Sequence, residues 1–525
     1  MMIAYAVFAV PLFSQEGNPA AGWKIDQNDQ EFTAVRAAYM RAQRHTRAGD
    51  SARQQSEALL KEAMALLSAG KTGEARRRFH HGMTLLRGRQ WTAREEHSSS
   101  LVLRTGFTVF DSDRPFWAHL GQIYPSQHSF STGPRVRLSL HAAETPSPGS
   151  IRLGAMVRDL GTRGGVASDL IEEPFLLEAD LSGLPDGAYG LVCELRDGDE
   201  PFCTLVKSVY AVRGLATIQA EVEGRLRGIK GHESLKATIR YPFDFARRMN
   251  AGSREQRHEN IPLLAARSRV LTQDLAQGKD PLHGAKGDLT RHHYLKEADA
   301  ILPYRLFVPA AYDGKRELPL VVALHGSGGS ENTMMDRDKA LLKVLAERYS
   351  YIVASPPGYR PNSGYGRGQS PEQSVIPGLM KTAGLAERDV MHVVELVRKE
   401  YRVDSRRIYL LGHSGGGGGT WTLGVQYPGI WAARAPIASA FVSSAELDLT
   451  RVKDVPVLVS HGNKDTVAPI ESSLKMVEKL KQAGGHLRFP EVPGADHDTV
   501  VAAVLPQAFE FFKDHARLAT AQEDE

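Results

Sequence analysis

The spacing of apolar positions divides the chain into stretches of different period. Over residues 26–98 the period is helical: Leu59, Leu60, Ala63, Leu66 and Leu67 share one face, residues 68–73 interrupt it, and Ala75, Phe79, Met83 and Leu86 resume it. Two such segments around a Gly-bearing break predict a packed helical hairpin. Over 99–213 the period shortens to two, as in Val136-Arg137-Leu138-Ser139-Leu140, 175–181 and 189–195, with Gly and Pro turns between. Several short strands at this spacing predict an all-β sandwich. Helical periodicity returns over about 214–278, and 279–298 is a polar Gly-, His- and Lys-bearing approach, so 214–298 is expected to be a helical linker region. From 299 to 525 continuous apolar runs alternate with helical segments at 335–348, 386–401 and 470–484. Strands that are apolar throughout are covered on both faces. Their alternation with helices gives right-handed crossovers, so this stretch predicts an α/β fold on a doubly wound, mostly parallel sheet.

The chemistry lies in that last stretch. The run Ile408-Tyr409-Leu410-Leu411 leads straight into Gly412-His413-Ser414-Gly415-Gly416, and residues 420–425 can continue as a helix. Gly-x-Ser-x-Gly between a strand and a helix is the pattern of a nucleophile elbow, where the turn is too tight for side chains on either side of the serine. Upstream, the apolar run 318–324 ends in His325-Gly326-Ser327-Gly328-Gly329. A Gly-rich turn there can aim a backbone N–H at the reacting carbonyl, so the N–H groups of Ser327 and Gly415 are the candidate oxyanion hole. His325 is then a turn-stabilising residue, because the hole uses backbone groups.

Downstream, the strand 455–460 is followed by His461-Gly462-Asn463-Lys464-Asp465, and a last short strand by a loop bearing His497. Serine is a poor nucleophile at neutral pH and needs a neutral imidazole as base; the imidazole needs a carboxylate to fix its tautomer. Ser414, Asp465 and His497 supply these groups, in an order found in α/β-hydrolases. His461 at a strand end reads as structural. Asp496 and Asp498 flank the histidine too closely to turn back onto it, and read as a solvated loop or helix-capping groups.

Residues from about 300 to 516 resemble the α/β-hydrolase superfamily. The branch is that of feruloyl and acetylxylan esterases, polyhydroxyalkanoate depolymerases and the hydrolase domain of prolyl-oligopeptidase-like proteins. The resemblance rests on the strand 302–309, Leu324-His325-Gly326-Ser327-Gly328-Gly329, the run 412–417, Pro436-Ile437-Ala438-Ser439, residues 461–465 and His497. It implies a serine esterase working through an acyl-enzyme, with no cofactor. The implied partner is an ester substrate such as a plant polysaccharide ester or a polyester. Gly417-Gly418-Gly419 stands where many relatives carry bulkier residues, and is expected to loosen the first turn of the helix. The β-stretch 99–213 resembles an immunoglobulin- or fibronectin-like accessory domain. Substrate contacts are expected from the Gly-, Pro- and Ser-rich loop 355–378, with Tyr359, Tyr365 and Trp421 as candidate wall residues.

Composition narrows the alternatives. A formal charge of +4 on 525 residues argues against nucleic acid as the main partner. No run of 18 apolar residues exists, so no membrane span is expected. Residues 1–15 carry the apolar core of a secretory signal, without a basic start or a clean cleavage site; export to the medium or periplasm is expected, with 1–25 as the signal peptide, the alternatives being a buried N-terminal strand or a misplaced start codon and a cytoplasmic protein. Cys193 and Cys203 flank a turn at 196–200 and are either a disulfide across a hairpin or two thiols on strands. The adjacent pairs His80-His81 and His292-His293 lack the spacing of a metal site. A prolyl-oligopeptidase-type peptidase would need the blade repeats of a propeller, which are absent from the sequence. A non-catalytic binding protein on the same fold would not need an intact Ser, Asp and His set.

Overall fold

The computed structural model describes residues 35, 38, 39, 42, 43, 46–147, 150–251, 259–360, 363–366, 379–440 and 447–518. The expected signal segment and most of the loop beyond Arg360 lie outside these residues. The chain forms two compact units: one runs to Arg227 and includes Pro242–Thr272, the other comprises Gly228–Tyr241 and the chain from Gln273 onward.

In the first unit, helices α1 (Asp50–Ser68) and α2 (Thr72–Leu86) form a hairpin whose inner faces bury Ala63, Leu67, Ala75, Phe79, Met83 and Leu86. Helix α3 (Ala93–Ser100) starts where the Thr92 side chain accepts the Glu95 N–H, satisfying an otherwise orphan donor. Eight strands follow: β1 (Leu101–Thr105), β2 (Val109–Phe110), β3 (Phe116–Gln122), β4 (Pro134–Ser147), β5 (Ser150–Arg163), β6 (Phe175–Ala179), β7 (Gly187–Asp197) and β8 (Glu200–Ala211). They make a three-stranded sheet, β1-β3-β6, and a five-stranded sheet, β2-β8-β7-β4-β5. The period-two pattern does the sorting. Val136, Leu138 and Leu140 are buried while Arg135 and Arg137 are exposed, and the inward residues of both sheets share one core with Leu103, Leu120, Leu177 and Leu191.

Cys193 and Cys203 are free thiols. The β7–β8 register sets Cys193 opposite Leu205 and Cys203 opposite Leu195, so the two stand diagonally on one face of the ladder, not directly opposite. Helices α4 (Leu215–Leu226), α5 (Glu233–Asn250) and α6 (Ile261–Ala276) come next. The Asn250 side chain accepts the N–H groups of Thr108 and Val109 and donates to the Val109 carbonyl, completing the hydrogen bonding of the short strand β2.

The second unit is built on an eight-stranded sheet. Its elements are β9 (Gly287–Leu295), β10 (Ala300–Val308), β11 (Leu318–Leu324), α7 (Glu331–Tyr349), β12 (Ile352–Ser355), α8 (Leu379–Glu400), β13 (Val403–His413), α9 (Gly415–Gln426), β14 (Ala433–Ile437), β15 (Val457–Leu458), β16 (His461–Gly462), α10 (Ile470–Gln482), β17 (Leu487–Arg488), β18 (Glu491–Val492) and α11 (Thr499–Lys513). The strand order is β17-β15-β14-β13-β11-β12-β10-β9, and β16 pairs with β18 beside it. Pairings from β12 across to β17 are parallel, and β10 is antiparallel to both neighbours. Every residue of β11 is buried. Val321, Ala323 and Leu411 pack on one face with Met334, Leu342, Phe509 and Phe512; Leu320, Val322 and Leu410 pack on the other with Val390, Val393 and Val397. Helices therefore cover both faces, and the fold is the doubly wound, mostly parallel α/β sheet anticipated from the apolar runs, as the resemblance to α/β-hydrolases also implied.

One boundary differs from expectation. The polar approach to 298 is not a helical linker throughout, because β9 pairs along its whole length with β10 and forms the edge of the sheet. Its polar residues hid it. Arg291, His292 and His293 are all buried, each with a partner. Arg291 forms a two-pronged ion pair with Glu400 (2.9 and 2.7 Å), His292 meets the Thr238 hydroxyl (3.2 Å), and His293 meets Asp389 (2.8 Å).

Because breaking a buried pair from one side strands a charge, Glu400→Ala is expected to lower the stability of this unit by roughly 3 kcal/mol, whereas Arg291→Met with Glu400→Leu should recover part of that loss. Urea denaturation of the three proteins checks this. A loss below about 1 kcal/mol in the single variant would show that the pair does not hold the edge strand.

Candidate active site

Ser414 sits between β13 and α9 with φ 56° and ψ −117°, a conformation that non-glycine residues rarely adopt. The surroundings hold it there: its N–H donates to Ile437 O (2.9 Å), and its carbonyl accepts the N–H groups of Gly418 (3.0 Å) and Ala440 (3.1 Å). The glycines around it are required by close approach. A Cβ on Gly412 would lie 2.1 Å from Gly416 O, and one on Gly416 would lie 2.4 Å from Leu324 O. The expectation that Gly417-Gly418-Gly419 loosens the helix is corrected by the packing. A Cβ on Gly417 would meet Ile437 O at 2.8 Å, one on Gly419 would meet Tyr365 Cβ at 2.6 Å and its ring at 2.7 Å, and α9 is buried from Gly415 through Val425.

The candidate oxyanion groups come together across the elbow. A Cβ on Gly415 would stand 3.2 Å from the Ser327 backbone nitrogen, so the β11 turn and the start of α9 are in contact there. His325 anchors that turn, with its ring nitrogens 2.7 Å from Gly326 O and 2.8 Å from Pro357 O.

Asp465 and His497 also meet. His497 Nδ1 lies 2.6 Å from Asp465 Oδ2, the contact that would fix the imidazole with its proton on Nδ1. The other oxygen, Oδ1, accepts the N–H groups of Val467 (2.8 Å) and Ala468 (2.9 Å). Burial disfavours the charged carboxylate, but the hydrogen bonds from His497 and these two amides outweigh it and hold Asp465 below its ordinary range. His461, fully buried, contacts the Ser473 hydroxyl (2.8 Å), Ala468 O (2.8 Å) and Asp465 Oδ2 (3.1 Å), and so braces the acid loop from within. Asp496 caps α11 by accepting the Thr499 N–H (2.8 Å), and Asp498 turns no carboxylate oxygen to the imidazole. Ser414 and His497 are each 8% exposed, and no hydrogen bond links their side chains among the described residues. Such contacts are often loose before substrate is bound.

The three candidate wall residues separate. Tyr365 lines a small cavity with Ser327 and Gly415. Tyr359 is half-buried against the core, and its N–H donates to Asp389 (2.9 Å). Trp421 is corrected from wall to core: it is fully buried among Val425, Leu449 and Val457, with the Arg434 guanidinium 5.4 Å above its ring. Its place on the inner face of α9 turns it away from solvent.

Sequence reasoning passed over His413 and Arg337. His413 Nε2 lies 2.7 Å from the main-chain carbonyl of His497, and Nδ1 lies 3.2 Å from Arg337 Nη1. Arg337 also donates to the Asp498 carbonyl (2.8 Å). It stands at a break in α7, where Asp338, Lys339 and Ala340 all take positive φ. Elbow residue and helix break together clamp two consecutive carbonyls of the histidine loop. The only sequence signal was an imidazole at the variable position before the serine. Among the described residues, no group of three metal-ligating side chains is gathered and no helix is long and apolar enough to cross a membrane.

A doubly wound sheet with these residues at the carboxyl ends of its strands has the layout of the α/β-hydrolase fold. Residues 302–482, about a third of the chain, match the family described as Esterase PHB depolymerase. The chain is 28% identical over 149 residues to a bifunctional acetylxylan esterase/xylanase, XynS20E, of Neocallimastix patriciarum, covering 28% of this chain and 19% of that one. It is 38% identical over 71 residues to the cutinase est1 of Thermobifida alba, covering 14% and 22%. The chain thus spans about a fifth of the length of the curated relatives it matches. A solved structure of a thermostable esterase aligns over 80% of this chain and all of its own, with 19% identity and a TM-score of 0.37. At the family level the similarity is to carboxylic-ester hydrolases.

The clamp carries a pH consequence. Burial, with Arg337 and His497 nearby, pushes the His413 imidazole down from 6.5 to about 3. Between those values the unfolded chain binds a proton that the folded chain does not, so this stability is complete above about pH 6.5 and is lost as pH falls toward 3. Denaturation midpoints at pH 7 and pH 5 should drop further for the wild type than for His413→Gln; equal drops would show that His413 is not held neutral.

Proposed function

We propose that the chain is a serine esterase in which Ser414 is the nucleophile, His497 the base and Asp465 the orienting acid. The observation that carries the reading is the His497–Asp465 contact at 2.6 Å on loops flanking a serine held at φ 56°. His497 Nε2 takes the Ser414 hydroxyl proton as Oγ bonds to the ester carbonyl carbon. The carbonyl oxygen becomes an oxyanion and accepts the N–H groups of Ser327 and Gly415. The tetrahedral adduct collapses, the carbon–alkoxy bond breaks, and His497 gives its proton to the departing alcohol. Water, deprotonated by the same imidazole, then attacks the acyl-enzyme and releases the acid and Ser414.

The names of the similar proteins support ester substrates of the polysaccharide-ester or polyester type for this reading. Export to the medium or periplasm belongs to it as well, supported by the apolar start at residues 3–13; enzyme retained wholly inside the cells would speak against this.

Ser414→Ala should abolish hydrolysis of a p-nitrophenyl ester with the fold intact by circular dichroism, His497→Ala should have a similar effect, and Asp465→Asn a smaller one, since the acid orients and does not attack. Turnover by Ser414→Ala within tenfold of wild type would exclude the mechanism.

The bond class is open to a separate check. An amide demands more of His497 as acid than an ester does, because the amine leaves as a stronger base. kcat/KM on a short-chain or aromatic ester should exceed that on a matched peptide amide by at least roughly a hundredfold, about 2.7 kcal/mol. Comparable rates on the amide would favour a peptidase.

A further inference from the structure

The cavity beside the elbow has one feature that the esterase reading does not use. Its lining includes Ser327 and Gly415, the proposed oxyanion donors, together with Tyr365 and Arg360. His497 is not part of that lining. The alcohol must leave toward His497, which protonates it, so the acyl portion of the ester lies on the oxyanion side, over the mouth of this cavity, whose own free volume is only about 10 Å³. Among its lining residues Arg360 alone carries a fixed charge, and no carboxylate is present.

Arg360 is exposed and forms no ion pair among the described residues. Its guanidinium stacks 5.0 Å from the Tyr359 ring centroid, which leaves its in-plane N–H groups available. The backbone beneath it is held firmly. Gly358 and Tyr359 both have φ of 63°, a tight reversal just before the arginine. The Tyr359 N–H donates to Asp389 Oδ2 (2.9 Å), and the other oxygen of that buried carboxylate meets His293 (2.8 Å). The Arg360 N–H donates to Gly358 O (2.7 Å), and its carbonyl accepts the Ser363 N–H (3.1 Å). A cation at the rim, with no anion of its own among the described residues, is suited to an anion brought by the substrate. Guanidinium and carboxylate pair through two parallel charge-assisted hydrogen bonds.

We infer that Arg360 makes this site select esters whose acyl group ends in a carboxylate, that is, half-esters of dicarboxylic acids. The inference rests on the esterase reading. The substrate enters with its far carboxylate on the Arg360 guanidinium and its ester carbonyl oxygen toward the N–H groups of Ser327 and Gly415, and the alcohol departs on the other side. Because Arg360 is exposed, the selectivity weakens as salt screens the pair.

The test compares kcat/KM for methyl hydrogen succinate and methyl butanoate, followed by pH-stat titration of the full chain at low ionic strength. The wild type should favour the half-ester by about tenfold or more. Arg360→Gln should remove most of that ratio, and Arg360→Glu should invert it and favour methyl 4-aminobutanoate. Added sodium chloride should shrink the wild-type ratio. A wild-type ratio at or below one, or a ratio unchanged in Arg360→Gln, overturns the role of Arg360 while hydrolysis of methyl butanoate leaves the esterase reading standing. Absence of turnover on every ester overturns both.

Discussion

The turn at Ser414 depends on backbones that approach one another more closely than any side chain would allow. Gly412, Gly416 and Gly417 lie where an added Cβ would fall between 2.1 and 2.8 Å from a neighbouring carbonyl oxygen. This contact lets β13 end against the β11 turn and lets α9 begin at once. The serine is thereby fixed in a left-handed conformation, and the Gly415 and Ser327 amides are brought together. The strain at Ser414 is stable only because the surrounding hydrogen bonds over-determine it. A methyl group at any of these glycines would separate the two turns from which the proposed site is made.

The acid and base loops are fixed by a different means. Asp465 has a fully enclosed side chain, yet its pKa is lowered, because His497 and two backbone amides point at it. His461 supports the same carboxylate from the core side, while His413 and Arg337 hold the carbonyls of residues 497 and 498. The position of His497 is thus set from three directions. The neutral state of His413 is part of this, since its Nδ1 must accept from a guanidinium and a protonated ring could not.

Where sequence and structure part, one physical effect recurs: polar residues can be core, and aromatic residues beside a site can be core too. β9 was hidden because Arg291, His292 and His293 break the apolar signature of a buried strand, although each is satisfied by a partner distant in sequence. Trp421 was a candidate for the substrate wall, but the inner face of α9 carries it into the core. The Gly417-Gly418-Gly419 run reads as looseness when taken alone and is tight packing against β14 and Tyr365.

The sequence by itself determined the doubly wound sheet, the sandwich strands and the three loops that carry Ser414, Asp465 and His497. Each of these is local: a continuous apolar run, a period of two, or a turn whose glycines are demanded by its own geometry. Tertiary structure decided how those loops are held and what faces the cavity. The carbonyl clamp at His413 and Arg337 and the carboxylate of Asp389 under the Tyr359 turn join residues tens of positions apart. Such contacts leave no periodic trace in the chain, because the energy that fixes them comes from burial and hydrogen bonds made only once the sheet has formed.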